Sequence, residues 1–164
     1  MAQGRAALLP NRRVLMLGTD MAIGKMTAGL EIHREATARG IRADFVATGQ
    51  IGMVIMGRGV PLDAIRVDYA CSAIENAVVE AAQAELVIVE GQGALNHPGS
   101  TSSLPLLRGS CPTDLILCHR AGQEALGKMP HVRIPPLPRL ISLYEDLAET
   151  CGTFPRPRTA GVDQ

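Results

Sequence analysis

The sequence predicts an α/β fold in which a mainly parallel sheet lies between layers of helices. Three observations predict it. Short apolar runs alternate with longer segments of helical character along the 164 residues, and strands that alternate with helices pair in parallel. Aromatic residues make up only 2% of the chain and Trp is absent. The core must then be built from Val, Ile, Leu, Met and Ala, which suits a sheet buried on both faces. Finally, four of the apolar runs end in glycine-rich or polar turns, the place where parallel sheets hold ligands.

The elements follow in order. Residues 1–12 contain only a short apolar patch and read as an N-terminal extension. Residues 13–17 (RVLML) form a strand that ends at Gly18. Residues 25–39 place Met26, Leu30 and Ile32 among charges at helical spacing, and Gly40 stops that helix. A second short strand covers 43–47 (ADFVA), followed by a glycine-punctuated stretch, 48–60, that reads as partly loop. Residues 69–84 are alanine-rich and helical. Residues 86–89 (LVIV) are the cleanest buried strand, ending in Glu90-Gly91-Gln92-Gly93, and 115–118 (LILC) is another, ending at His119-Arg120. The Pro-rich stretch 130–138 is a loop with room for a short strand, and 138–150 is the last helix. The domain proper therefore spans 13–152, and the tail 153–164 is expected to be disordered.

Composition narrows the function. Sixteen basic and sixteen acidic residues give zero net charge, so a nucleic-acid footprint is not expected. No apolar run is long enough for a signal h-region or a membrane span, so no membrane role is expected. Cys71, Cys111, Cys118 and Cys151 have no CxxC spacing and read as reduced thiols of a cytoplasmic protein. No histidine pair has zinc-ligand spacing. What remains is a small-molecule substrate.

The segment Gly18-Thr19-Asp20-Met21-Ala22-Ile23-Gly24-Lys25-Met26-Thr27 carries the clearest chemistry. A strand enters a glycine-rich turn and a helix leaves it, so unpaired N–H groups and a partial positive charge face whatever lies there. Lys25 adds a full charge where a terminal phosphate would sit. Gly18, Thr19, Asp20, Gly24, Lys25, Met26 and Thr27 are the expected phosphate contacts. Two features are irregular. Five residues separate the glycines where the common motif has four, and Met26 replaces the usual Ser or Thr. Thr27 comes one place later, turned by about 100° around the helix. The anion-binding half of the motif is thus kept and the metal-binding half weakened.

Other strand ends add candidates. Glu90 can hold hydrated Mg²⁺, with Thr27, if Mg²⁺ is used, and Gly91 and Gly93 let backbone approach a ligand closely. Glu90, His97 and His119 are the candidate catalytic groups, since imidazole suits proton transfer near neutrality. Thr48, Gly49 and Gln50 are expected to contact substrate, and Arg120 to bind a carboxylate or phosphate bidentately. Asp63 and Asp68 are either ligand contacts or, for Asp68, the cap of the helix near Tyr69.

The order of GTDMAIGKMTAGLE, ADFVATGQIG, the paired aspartates, VEGQGALNHPG and DLILCHR resembles the D-glutamate N-acetyltransferase family, long catalogued as a domain of unknown function. The resemblance runs from about residue 13 to 150. More distantly, GTD…GK and VEGQG are similar to dethiobiotin synthetase, whose loop also has the longer spacer. The resemblance implies a three-layer, P-loop nucleoside triphosphate hydrolase-like domain that follows a Rossmann-like domain these residues do not include. It implies acetyl-CoA as cofactor, with acetyl transfer to the amino group of D-glutamate or another small D-amino acid, and Arg120 or Arg58 on the substrate carboxylate. The sequence departs from the family at HPGSTSSLPLLRG, and it is expected to lack a further strand after the last helix. Two other readings stand beside this one: a ligase of the dethiobiotin synthetase kind using ATP with Mg²⁺, and a non-catalytic nucleotide-binding module. The expected partners are a second copy or a separate N-terminal-domain protein.

Overall fold

A computed structural model describes residues 1–153 and 155–163. Its central sheet has five strands in the order β2-β3-β1-β4-β7. These are β1 (Arg12–Gly18), β2 (Ala43–Val46), β3 (Leu86–Val89), β4 (Asp114–Cys118) and β7 (Arg158–Asp163). Every neighbouring pair is parallel. A separate antiparallel hairpin joins β5 (Ala125–Leu126) to β6 (Met129–Arg133).

Strand alternation divides the core into two layers. Leu15, Leu17, Val87, Val89, Leu115 and Leu117 face α3 (Val67–Glu80), α4 (Ser103–Ser110) and α5 (Leu137–Thr150), and pack with Ile74, Leu106 and Tyr144. Val14, Met16, Phe45 and Ile88 face α1 (Lys25–Ala38) and α2 (Gln50–Met56). Gly29 lets α1 lie close to the sheet, because a Cβ there would stand 3.0 Å from the Phe45 ring and 3.1 Å from Met16 Cγ. The expected three-layer α/β architecture is the one observed.

Several expectations change. The segment expected to be a disordered tail contains β7, which pairs with β4 from Asp114↔Arg158 to Cys118↔Asp163. An open sheet edge offers a row of unpaired N–H and C=O groups, and Arg-Thr-Ala-Gly-Val-Asp satisfies them through backbone alone, without an apolar pattern to announce it. The further strand expected to be missing is therefore present. Phe154 and Gln164, also in that tail, lie outside the described residues. The stretch 48–60 includes α2, and α4 was not expected. Pro105 sits in the first turn of α4, where its missing N–H does no harm.

Helix α3 begins two residues earlier than expected. Arg66 is its N-cap, and Asp68 falls in the first turn without a capping hydrogen bond. The segment before β1 is anchored rather than loose. Buried Glu75 on α3 accepts hydrogen bonds from Gln3 N, Arg5 N and Arg5 Nε. Among the described residues no helix is long and apolar enough to cross a membrane.

Candidate functional site

The glycine-rich loop leaves the central strand and enters α1. Its extra spacer residue is absorbed by left-handed backbone at two positions, Ala22 (φ 52°) and Gly24 (φ 95°). Gly24 is the N-cap of α1 and carries no side chain to cap it, and no acidic residue stands in the first turn. The N–H groups of that turn are left for an anion.

Lys25 is buried at 6% exposure, and its Nζ donates to the Asp20 carbonyl at 2.8 Å. Burial lowers its pKa, opposed by Cys118, Asp20 and Glu90. The Lys25 amine is thus held partly dehydrated beside the loop, and its charged form there attracts an anion more strongly than it would in water.

The first half of the loop is fastened from outside. Tyr144 on α5 donates its hydroxyl to Gly18 O at 3.3 Å, and the Asn96 amide donates to Thr19 O at 2.9 Å. Thr19 Oγ1 lies 2.9 Å from His119 Nδ1. Asp20 is held most firmly. Its Oδ1 accepts Met21 N at 2.7 Å, and its Oδ2 accepts Gln123 Nε2 and Gly127 N, each at 2.8 Å. The β5–β6 hairpin thus clamps the loop.

Burial pushes the Asp20 pKa up, but the Gly127 and Met21 N–H groups and the Gln123 amide, helped by His97, outweigh it and hold the carboxyl below its usual value. A depressed carboxylate pKa contributes stability that is present above the unfolded value and lost as pH falls through the folded one. Asp20→Ala is expected to cost about 1–3 kcal/mol at pH 7, from donors left unpaired. The difference from the unaltered protein should shrink below about pH 4, where the carboxylate is neutralised. Thermal melts of both proteins from pH 3 to 7 check this.

The second half of the loop, Met21 to Thr27, lines a cleft of about 710 Å³. Leu62, Ile65, Val67 and Pro105 give the cleft an apolar wall, and Glu90, Gly91, Asp63 and Ser100 also line it. Glu90 is buried at 4% exposure. Its Oε2 accepts Thr48 N at 2.8 Å and Gly49 N at 3.0 Å, and Thr48 Oγ1 donates to Glu90 O at 2.8 Å. Thr48 and Gly49, expected to touch substrate, do not line the cleft; they orient Glu90. Gln50 is exposed and donates to Asp63 Oδ2 at 3.2 Å.

The other candidates lie elsewhere. His97 is buried, and its Nδ1 accepts Gly99 N at 3.0 Å, which leaves the proton of the neutral ring on Nε2. It does not line the cleft. His119 lines a second cavity, of about 310 Å³, past the end of β4. Arg120 is exposed and lines neither cavity. Arg58 pairs with Asp44, so the carboxylate role expected of it is not supported: the turn after α2 carries it back to the edge strand.

Thr27 and Glu90 both line the cleft. Among the described residues no group of three or more His, Cys, Asp or Glu side chains could hold a metal ion. The clamp residues Gln123, Gly127, Asn96 and Tyr144 were not among the residues the sequence pattern singled out.

Comparisons with known proteins agree with this architecture. The family described as "Domain of unknown function (DUF1611_C) P-loop domain" matches residues 1–162. A D-glutamate N-acetyltransferase of a Pseudoalteromonas species is 33% identical over 162 residues, covering 98% of this chain and 48% of that protein. A D-glutamate N-acetyltransferase of Tritonibacter scottomollicae is 37% identical over 139 residues, covering 84% of this chain and 42% of that protein. The crystal structure of a DUF1611 family protein from Anabaena variabilis ATCC 29413 has a TM-score of 0.95 and 53% identity, covering 98% of this chain and 47% of that one. The chain spans about half the length of the relatives it matches.

Proposed function

The chain belongs to the DUF1611 P-loop domain family, and on that premise we propose that its loop holds the pyrophosphate of acetyl-CoA for acetyl transfer to the amino group of D-glutamate. One observation carries the reading. The uncapped start of α1 and buried Lys25 line a large cleft together, while Met26 stands where a Mg²⁺-holding hydroxyl is usual. Anion binding without a metal is what a coenzyme A pyrophosphate asks of such a loop. The names of the two curated relatives support the reaction class.

The cofactor supplies an acetyl thioester at the end of a long arm. The apolar wall of Leu62, Ile65 and Val67 suits that arm. Bound there, acetyl-CoA would supply the acetyl thioester for attack by the substrate's amine nitrogen, the C–S bond breaking as the C–N bond forms and the amine's proton passing to the leaving thiolate. We assign the proton relay to Asp63, an exposed carboxylate that lines the cleft and accepts Gln50 Nε2. Glu90 belongs to the phosphate end, close enough to Lys25 to favour the lysine's charged form.

A second reading rests on Glu90 and Thr27 sharing the cleft: a ligase using ATP with Mg²⁺, in which Glu90 and Thr27 hold the metal. Calorimetric titration with acetyl-CoA, ATP and GTP, each with Mg²⁺ or with a chelator, separates the two. Acetyl-CoA is expected to bind equally in both buffers. ATP binding that requires Mg²⁺, with no acetyl-CoA binding, would replace the first reading with the second. Incubation with acetyl-CoA and D-glutamate then tests turnover. Binding without N-acetyl-D-glutamate assigns the chain as a non-catalytic module, expected to gain activity from a separate N-terminal-domain protein.

A further inference from the structure

The 710 Å³ cleft does not stand alone. Val67, Ser100, Thr101 and Pro105 line it and also line a neighbouring cavity of about 500 Å³, so the two spaces share a side. The neighbouring cavity is walled by α3 and α4, which bring Asp68, Cys71 and Arg108 to it.

Its two charges are the informative feature. Asp68 stands in the first turn of α3 and Arg108 in the last turn of α4. Each has the sign that its own helix dipole favours at that end, so neither needs the other. They line one cavity, yet they form no ion pair with each other or with any other of the described residues. The Arg108 charge lies close enough to half-buried Cys71 to oppose the rise that burial imposes on the thiol's pKa. A carboxylate and a guanidinium held apart around one space complement a zwitterion. An α-amino acid brings an ammonium for the first and a carboxylate that arginine can grip through two N–H groups.

The cleft itself offers a substrate carboxylate no arginine. Arg58 is paired with Asp44, and Arg120 lines neither the cleft nor this cavity. We propose that the 500 Å³ cavity is the acceptor amino-acid site, with Arg108 on the α-carboxylate and Asp68 on the ammonium. This assignment rests on the loop and cleft holding acetyl-CoA, and it adds the residues that select the acceptor. The thioester and the amine then meet at the side the two spaces share, with Asp63 on the cleft side of it and Asp68 on the cavity side.

Calorimetric titration of the whole chain with D-glutamate, glutarate and γ-aminobutyrate tests it, with acetyl-CoA titrated separately. Glutarate lacks the amine, and γ-aminobutyrate lacks the α-carboxylate. D-Glutamate is expected to bind at least about tenfold more tightly than either. Arg108→Gln is expected to bring D-glutamate down to the γ-aminobutyrate level, and Asp68→Asn to bring it down to the glutarate level. Both side chains are exposed, so the fold and acetyl-CoA affinity should be unchanged in both variants. A second measurement needs no variant. D-Glutamate is expected to slow alkylation of Cys71 by iodoacetamide, followed by mass mapping, and the two analogues at equal concentration are not. Unchanged D-glutamate affinity in either folded variant overturns the proposal, as does Cys71 alkylation that bound D-glutamate leaves unchanged. Acetyl-CoA binding with no D-glutamate binding also overturns it, while the loop reading stands. D-Glutamate binding that depends on Arg108 and Asp68, with no acetyl-CoA binding, keeps the cavity and overturns the loop reading. Binding of neither overturns both.

Discussion

Lys25→Met is expected to lower pyrophosphate affinity by about 100-fold while the protein keeps its fold and gains stability at neutral pH. The loss follows from removing the one full positive charge of the loop. Charge-assisted hydrogen bonds contribute about 1.5–3 kcal/mol each, and Lys25 offers its charge from a site 6% exposed. The gain follows from the same burial. Dehydration lowers the lysine's pKa, with Cys118, Asp20 and Glu90 opposing it. A base whose folded pKa is depressed is destabilising while protonated, and that penalty is relieved as pH rises from the folded pKa toward the unfolded value. The unaltered protein should therefore grow more stable, relative to Lys25→Met, as pH rises from 7 toward 10. Met preserves most of the side-chain volume, so packing against the Gly18 and Gly91 backbone is retained. Calorimetry with pyrophosphate and melts across that pH range measure both halves. A variant that is less stable at pH 7 and still binds pyrophosphate would remove Lys25 from the phosphate site.

Such opposition between stability and binding, if measured, would mark a functional group, and the segment that leads to the expectation is legible in the sequence because its parts are local. A strand, a glycine-rich turn, a lysine and a helix are contiguous, so the candidate anion site is written in one short segment. Glu90 was legible for the same reason, as the polar residue directly after LVIV. The devices that hold these groups still were not. Gln123 lies 103 residues from Asp20, Asn96 lies 77 from Thr19, and Tyr144 lies 126 from Gly18. No periodicity connects residues that far apart. Thr48 and Gly49 show the converse. Their place at a strand end was legible, but their N–H groups turn toward Glu90, and only the fold determines that. Strand β7 was missed because edge pairing is made by backbone, and α4 because Pro and Gly inside SLPLLRGS mask its helical character.

Gly91 lines the cleft and also packs against the central strand. Beside a phosphate loop, a glycine suggests close approach of a ligand. The structure also places the position of its missing side chain against protein. A Cβ on Gly91 would stand 1.7 Å from Met16 O, 2.7 Å from Met16 C and 3.2 Å from Lys25 Cδ. Met16 is fully buried on the central strand, which pairs with β3 on one side and β4 on the other. That backbone cannot give way without breaking ladder hydrogen bonds. Gly91→Ala is therefore expected to cost at least about 4 kcal/mol, a large part of the 5–15 kcal/mol that holds a typical domain together. The melting temperature should fall by about 10 °C or more, or no folded protein should be recovered. Gly24→Ala is the matching control. Its Cβ would meet nothing within 4 Å, and only the left-handed backbone, φ 95°, opposes it. The cost there is about 1–2 kcal/mol, with the fold retained. If Gly91→Ala instead melts like the unaltered protein and loses only ligand affinity, then the glycine serves the ligand and the contact with Met16 does not govern it.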